Sequence, residues 1–144
     1  MVKKLIMGGV IVYGNLKLVS CSIIYWDFVR RLRNENQGFI NSVKISVYQQ
    51  LLYMLKNCDY YNICLCGITP VGFIGNINND LRFSVHKSFR KKGIGKFMLN
   101  NYHIDNNAIG KVKINNTGSR KLFESCGWKI SSTSKDYIYY KNVC

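Results

Sequence analysis

Val85-His86-Lys87-Ser88-Phe89-Arg90-Lys91-Lys92-Gly93-Ile94-Gly95-Lys96 decides how this chain is read: an apolar strand end runs into a cluster of cations around two glycines, where a helical pattern starts. The first N–H groups of a helix have no partner within it, and the helix dipole adds about half a positive charge there, so such an end attracts phosphate. Gly93 and Gly95 remove side chains that would hold a pyrophosphate away from the backbone, while Arg90, Lys91, Lys92 and Lys96 supply long-range attraction. A Walker loop would follow Gly-Lys with Ser or Thr, and here Phe97 follows Lys96; a dinucleotide fingerprint needs a third glycine, and Met98 stands there. A basic glycine turn that merely opens a helix is the structural alternative.

Outward from this loop, periodicity predicts Leu81 to Val85 as a strand before it and a helix through Phe97, Met98 and Tyr102 after it, broken by Asn106-Asn107 and Gly110. Lys111 to Ile114 alternates as a strand, Ser119 to Cys126 reads as a helix, and Gly127 ends it in the left-handed conformation. Two strands follow, near Trp128 to Ser132 and Tyr137 to Tyr140. Upstream, Ile11 to Val19 reads as a first strand. Ile24 to Asn34 reads as a helix through Ile24, Phe28 and Leu32, and Ser46 to Lys56 as another through Val47, Leu51, Leu52 and Leu55. Tyr60 to Cys66 and Val71 to Ile77 are strands joined by a turn at Gly67-Ile68-Thr69-Pro70, and Asn78-Asn79 turns the chain again. The order is β, two helices, a three-strand meander, helix, strand, helix and a final strand pair: an α/β domain with a mixed sheet.

With 144 residues, 47% hydrophobic and 19% charged, the chain has the size and balance of one globular domain spanning 1–144, and no stretch approaches the roughly 18 consecutive apolar residues of a membrane span. Lys and Arg number 21 against 7 Asp and Glu, a net charge of +14, which favours an anionic partner: nucleic acid, a membrane surface or a phosphate-bearing small molecule. An A+T-rich coding sequence would produce part of that excess. Cys21, Cys58, Cys64, Cys66, Cys126 and Cys144 show no CxxC spacing and no histidine at zinc-finger spacing, so no metal is expected; Cys64 and Cys66 read as buried reduced thiols on one strand face, which fits a reducing compartment, the cytoplasm. Lys3-Lys4 followed by Leu5 to Tyr13 and Leu18-Val19-Ser20-Cys21 imitates a lipoprotein signal, but Asn15 and Lys17 interrupt it and the alternation reads better as a strand.

The loop stretch resembles the GNAT superfamily of acyl-CoA-dependent N-acyltransferases, whose signature is a strand, then Arg or Gln, two residues, Gly, one residue and Gly or Ala, then a helix. A second family motif, an Asn leading a helix that ends in Gly plus an aromatic, is similar to Asn116-Thr117-Gly118-Ser119-Arg120-Lys121-Leu122-Phe123-Glu124-Ser125-Cys126-Gly127-Trp128. The element order is also the family's, so the resemblance covers nearly the whole chain. It implies a single domain with a mixed, mostly antiparallel sheet that splays between its two central parallel strands, flanked by about four helices.

For the site, the resemblance implies acetyl-CoA as acyl donor, with Phe83, Ser84 and Val85 pairing with the pantetheine arm and the amides of Lys91 to Lys96 holding the pyrophosphate; Arg90, Asn116, Ser119 and Phe123 complete the donor set. The amine would attack in a ternary complex, and a backbone N–H near Val85 would stabilise the oxyanion. Asp80, at the start of the strand that carries the thioester, is the candidate base; as a residue type it also reads as a turn after Asn78-Asn79. His86 ranks second. Many members carry a tyrosine acid where this chain has Phe123, which leaves Ser119, Tyr102, Tyr139 or water for that role, or an unassisted thiolate. Cys126 reads as packing.

Trp26-Asp27-Phe28-Val29-Arg30-Arg31-Leu32-Arg33-Asn34 is similar to the first-helix pattern W-x-F-x-x-x-x-R-N of a GNAT branch that includes N-acetyltransferases of nucleotide-linked amino sugars of the pseudaminic-acid type. That resemblance implies Trp26, Arg30, Arg33 and Asn34 as acceptor-binding residues and a nucleotide-linked amino sugar as partner, with no nucleic acid or membrane involved and a homodimer as an allowed assembly. As residues alone, Asp27 pairing with Arg30 or Arg31 on a solvated face is the structural reading. A protein N-terminal or polyamine acetyltransferase is the alternative. A nucleic-acid-binding module, or a GNAT fold that binds acyl-CoA without turnover, lies further off.

Overall fold

The computed structural model describes residues 15–35 and 44–142. Seven strands form one sheet in the order β1-β2-β3-β4-β5-β7-β6: β1 Leu16–Ser20, β2 Tyr61–Cys66, β3 Thr69–Ile77, β4 Asp80–Val85, β5 Ile109–Lys113, β6 Lys129–Thr133 and β7 Tyr137–Lys141. Every neighbouring pair is antiparallel except β4 and β5, which run parallel. Among the described residues four helices flank it: α1 Trp26–Glu35, α2 Val47–Asn57, α3 Ile94–Asn101 and α4 Thr117–Ser125. The mixed sheet and four helices are those expected from the sequence. The predicted strand residues 11–14 and the leader-like Lys3 to Tyr13 lie outside the described residues.

Alternation along the strands divides the core in two. Leu81 of β4, Val112 of β5 and Ile138 and Tyr140 of β7 join Met98 of α3 and Phe123 of α4 on one face; Tyr61, Ile63 and Phe73 join Val29 and Leu32 of α1 and Met54 of α2 on the other. The helix α1 packs over β3 and β4, α3 packs against β3, β4 and β1, and α4 against β5.

Several local expectations change. Gly110 does not end an element but sits within β5, because the Phe123 ring fills the space where its side chain would be. Only Gly67 and Ile68 form the β2–β3 turn, with Gly67 at φ 64°; Pro70 lies inside β3, and the ladder slips by a bulge at Cys64/Leu65, consistent with a proline that cannot donate. Ile24 is in a short 3-10 turn and 75% exposed; α1 buries Leu32 as expected and half-buries Phe28, and it also turns Val29 and Arg33 inward.

The largest reversal is in α2, where the apolar positions Val47, Leu51, Leu52 and Leu55 all face solvent. Hydrogen bonds set its orientation. Gln50 donates through Nε2 to Trp26 O at 2.9 Å, the Tyr53 and Tyr61 hydroxyls meet at 2.7 Å, and Ser46 and Gln49 close a capping box; Gln50 and Met54 are the residues buried.

Candidate active site

Strands β4 and β5 pair only at Asp80 with Ile109 and Leu81 with Gly110, then part. From Arg82 to Val85 the β4 edge on that side therefore opens into a cleft of about 1210 Å³, closed at its far end by the loop of residues 90–96 and on one side by the start of α4.

The loop takes its shape from two left-handed residues, Lys91 at φ 61° and Gly93 at φ 81°. Gly93 is the N-cap of α3 and supplies no side-chain cap; the first helical bond runs from Phe97 N to Gly93 O at 3.0 Å. The N–H groups of Ile94, Gly95 and Lys96 thus have no acceptor within the helix, and all three residues line the cleft. Gly95 has a packing role besides its expected one: a Cβ there would come within 2.7 Å of Leu122 Cδ2, so its missing side chain lets α3 approach α4. Arg90 donates from Nε to Val85 O at 3.2 Å, latching the loop to the end of β4. Lys92 lies with its ammonium 5.7 Å from the Phe89 ring centre and is not part of the cleft wall.

At the other wall, Asn116 Oδ1 accepts from Ser119 N at 3.3 Å, so its amide oxygen caps α4; both residues line the cleft. Phe123 is 1% exposed, stacked on Tyr140 at 5.1 Å and edge-on to Phe83 and Trp128. Tyr140 in turn donates to Glu124 Oε2 at 2.7 Å, and burial followed by that bond raises its phenol above the ordinary range.

On the opposite face of β4, Asp80 Oδ2 receives both Nε and Nη2 of Arg82 at 3.0 Å. Arg82 Nη1 also reaches the Tyr53 hydroxyl at 3.4 Å, and Arg33 lies over the Tyr53 ring at 4.9 Å. Burial, then the neighbouring Tyr53, pushes the Tyr61 phenol well up. Burial works to lower Arg82, but Tyr61, Asp80 and Tyr53 together outweigh it, and its guanidinium is held charged.

The acetyltransferase (GNAT) domain family matches residues 59–130, half of the chain, which takes in the meander, the glycine loop and α4. The chain belongs to the GNAT acetyltransferase family. Solved GNAT structures agree in fold: yncA of Salmonella typhimurium, solved with acetyl-CoA, superposes with a TM-score of 0.72 at 10% identity over 90% of this chain and 99% of that one. Spermidine N-acetyltransferase from Vibrio cholerae, in complex with CoA and spermine, gives 0.71 at 14% identity over 89% and 95%. A Salmonella typhimurium acetyl transferase that modifies the N-terminal serine of a ribosomal protein gives 0.68 at 13% identity over 94% and 98%. No curated protein matches the sequence.

Within this GNAT domain the expected donor residues Phe83, Ser84, Val85, Arg90, Lys91, Gly93, Ile94, Gly95, Lys96, Asn116, Ser119 and Phe123 all line one cleft; Lys92 does not. Of the expected bases, Asp80 lines it. His86 does not: its Nδ1 accepts from Ser88 N at 3.1 Å and its ring packs edge-on to Phe89, which makes it a turn cap. Of the acceptor set only Arg33 reaches the cleft. Trp26 donates to Cys21 O at 3.1 Å, Arg30 is tied to Asp27 at 2.7 Å, and Asn34 exchanges two hydrogen bonds with the backbone of Ile45. Among the substitute acids, Tyr102 is spent on Tyr60 O at 2.7 Å, Tyr139 lies outside the cleft wall, and Ser119 remains.

The sequence reading missed Arg82, Lys111, Lys113, Lys121 and Tyr137, all on the cleft wall. For Arg82, Lys111, Lys113 and Tyr137 the signal was strand alternation, which names two faces without saying which one meets substrate; Lys121 sits on the helix α4, where no such alternation applies. The wall carries, among the described residues, eight Lys and Arg side chains and one carboxylate, Asp80. Among the described residues no helix is long and apolar enough to cross a membrane.

Proposed function

We propose that this protein, acting as one domain over residues 1–144, transfers acetyl from acetyl-CoA to a primary amine, and that the amine belongs to a nucleotide-linked amino sugar. The observation that carries the donor half is the parting of β4 from β5 beyond Leu81, directly beside a loop whose N–H groups lack acceptors. The β4 edge at Phe83 to Val85 offers backbone groups to an extended amide-bearing arm as a further strand would, and the amides of Lys91 to Lys96 with the nearby cations suit a pyrophosphate. A reaction that draws on acetyl-CoA belongs in the cytoplasm.

In this reading the amine nitrogen attacks the thioester carbonyl, a C–N bond forms, the C–S bond breaks, and the amine proton leaves. Asp80 takes that proton, directly or through water, while Arg82 fixes its carboxylate; an acceptor amine with a pKa of roughly 8, like that of an α-amino group, demands little of the base. Ser119 stands at the donor wall to return a proton to the thiolate, which at a thiol pKa of roughly 8.5 leaves with little help. The excess of cations over carboxylates on the wall supports an anionic acceptor.

The test is to incubate the protein with acetyl-CoA and UDP- and dTDP-linked amino-deoxy sugars, with peptide N-termini and spermidine as comparators, and to read products by mass spectrometry. An acetyl mass gain on a sugar nucleotide is expected, and Asp80→Asn should lower kcat by about a hundredfold with little change in the KM for acetyl-CoA. A gain only on peptide or polyamine would overturn the acceptor.

A further inference from the structure

We infer that the acceptor carries an anionic group of its own, held by Lys111 and Lys113 on the sheet face opposite the donor-side helices. The inference rests on the acetyl-transfer reading above and names residues for its acceptor half. Register fixes the geometry. Asp80 pairs with Ile109 across β4 and β5, and Lys111 and Lys113 pair with Tyr139 and Tyr137 across β5 and β7. Because side chains alternate, Asp80, Arg82, Lys111, Lys113, Tyr137 and Tyr139 all project from one face, while Leu81, Phe83, Gly110, Val112 and Tyr140 project from the other, toward α3 and α4.

On that face α1 packs over β3 and β4, which leaves Lys111 exposed and Lys113 half-buried beside the same cleft that Arg33 and Arg82 line. Arg82 turns its guanidinium onto Asp80, and Arg33 is buried against the Tyr53 ring, so neither is as open to a ligand as the exposed Lys111. The lysines are the cations best placed for a ligand. Lys111 is partly ordered for the task, its ammonium 4.1 Å from the centre of the Tyr137 ring, which reduces what remains to be immobilised on binding.

One carboxylate against Arg33, Arg82, Lys111 and Lys113 leaves this wall strongly positive. A polyamine would bring further positive charge to it. An amine on a molecule that also bears phosphate or carboxylate oxygens is matched, because lysine ammonium groups act as point charges for such oxygens. Phosphate of a nucleotide and carboxylate of an acidic peptide share that chemistry.

Three probes separate the sources: UDP, an acidic tripeptide and spermidine, each titrated calorimetrically into the protein saturated with CoA. UDP or the acidic peptide is expected to bind and spermidine is not, and whichever binds identifies the source. Lys111→Gln with Lys113→Gln should weaken that binding at least tenfold and leave CoA affinity within twofold. A charge-matched control, Lys17→Gln with Lys135→Gln, should change neither. Intact CoA binding with no anion binding, equal binding of spermidine, or an unchanged affinity in the Lys111/Lys113 variant would overturn this inference alone. Failure of CoA itself to bind would overturn the donor reading and this inference with it.

Discussion

The ring of Phe123 ends against Gly110: a Cβ on that glycine would fall 2.3 Å from Phe123 Cζ. This contact explains both residues. A tyrosine at 123 would drive its hydroxyl into the β5 backbone, so the phenylalanine is not simply an acid with its oxygen removed; the ring is a core element under the cleft floor. Gly110→Ala should therefore destabilise the fold by about 1–3 kcal/mol through overpacking, measurable by urea unfolding. Phe123→Tyr should lose stability in the same assay and gain no rate. A faster enzyme would show that the hydroxyl finds a path to the thioester. None of this was legible in the sequence, where Gly110 reads as a breaker, because a glycine demanded by a distant ring looks the same as one demanded by a turn.

At the scale of elements, the glycine loop was the most legible part of the chain. Gly93, at φ 81°, is called for by local backbone conformation, and a local demand leaves a local signature, whereas Gly95 is called for by Leu122 of the distant α4. Gly93→Ala places a side chain in left-handed backbone at a cost of about 1–2 kcal/mol, which the loop relieves by shifting the amides of residues 94–96. CoA affinity should fall about tenfold by calorimetry, the equivalent of about 1.4 kcal/mol. Gly95→Ala meets only the tip of a flexible Leu122 and should cost less. If Gly95→Ala proves the more damaging to CoA binding, the loop grips its ligand otherwise than through the amides that Gly93 orients. The helices α1 and α2 were less legible. In α2 the apolar residues mark the outer face, because Gln50 and Tyr53 tie the helix inward through hydrogen bonds that hydrophobic periodicity does not register. In α1, Trp26, Arg30 and Asn34 anchor the helix and Ile45, and only Arg33, nearly buried, faces the cleft.

For the molecule as a whole, the two faces of the sheet differ: α3 and α4 pack on one, and Asp80, Arg82, Lys111 and Lys113 project from the other, with the β4–β5 gap between them; the reaction we propose makes these its donor and acceptor sides. Sequence alternation had placed Cys64 inside, and the structure buries its thiol completely along with most of Cys21. Burial, with a smaller contribution from Cys66 and Cys58 respectively, pushes both thiols up to about 12. Such groups serve poorly as nucleophiles near neutral pH, since the thiolate is the reactive form. They also couple stability to alkaline pH. In the unfolded chain both thiols release protons near pH 8.5–9, whereas the folded protein retains them until about 12, so across that window the unfolded state binds fewer protons and stability falls as pH rises. Below pH 8 these groups add no slope. Denaturant midpoints measured from pH 7 to 11 should thus be flat and then decline, and Cys64→Ala, less stable at every pH for its lost packing, should show the shallower decline. A variant whose curve runs parallel to the parent's would mean that Cys64 ionises as readily folded as unfolded, and that its burial does not exclude water.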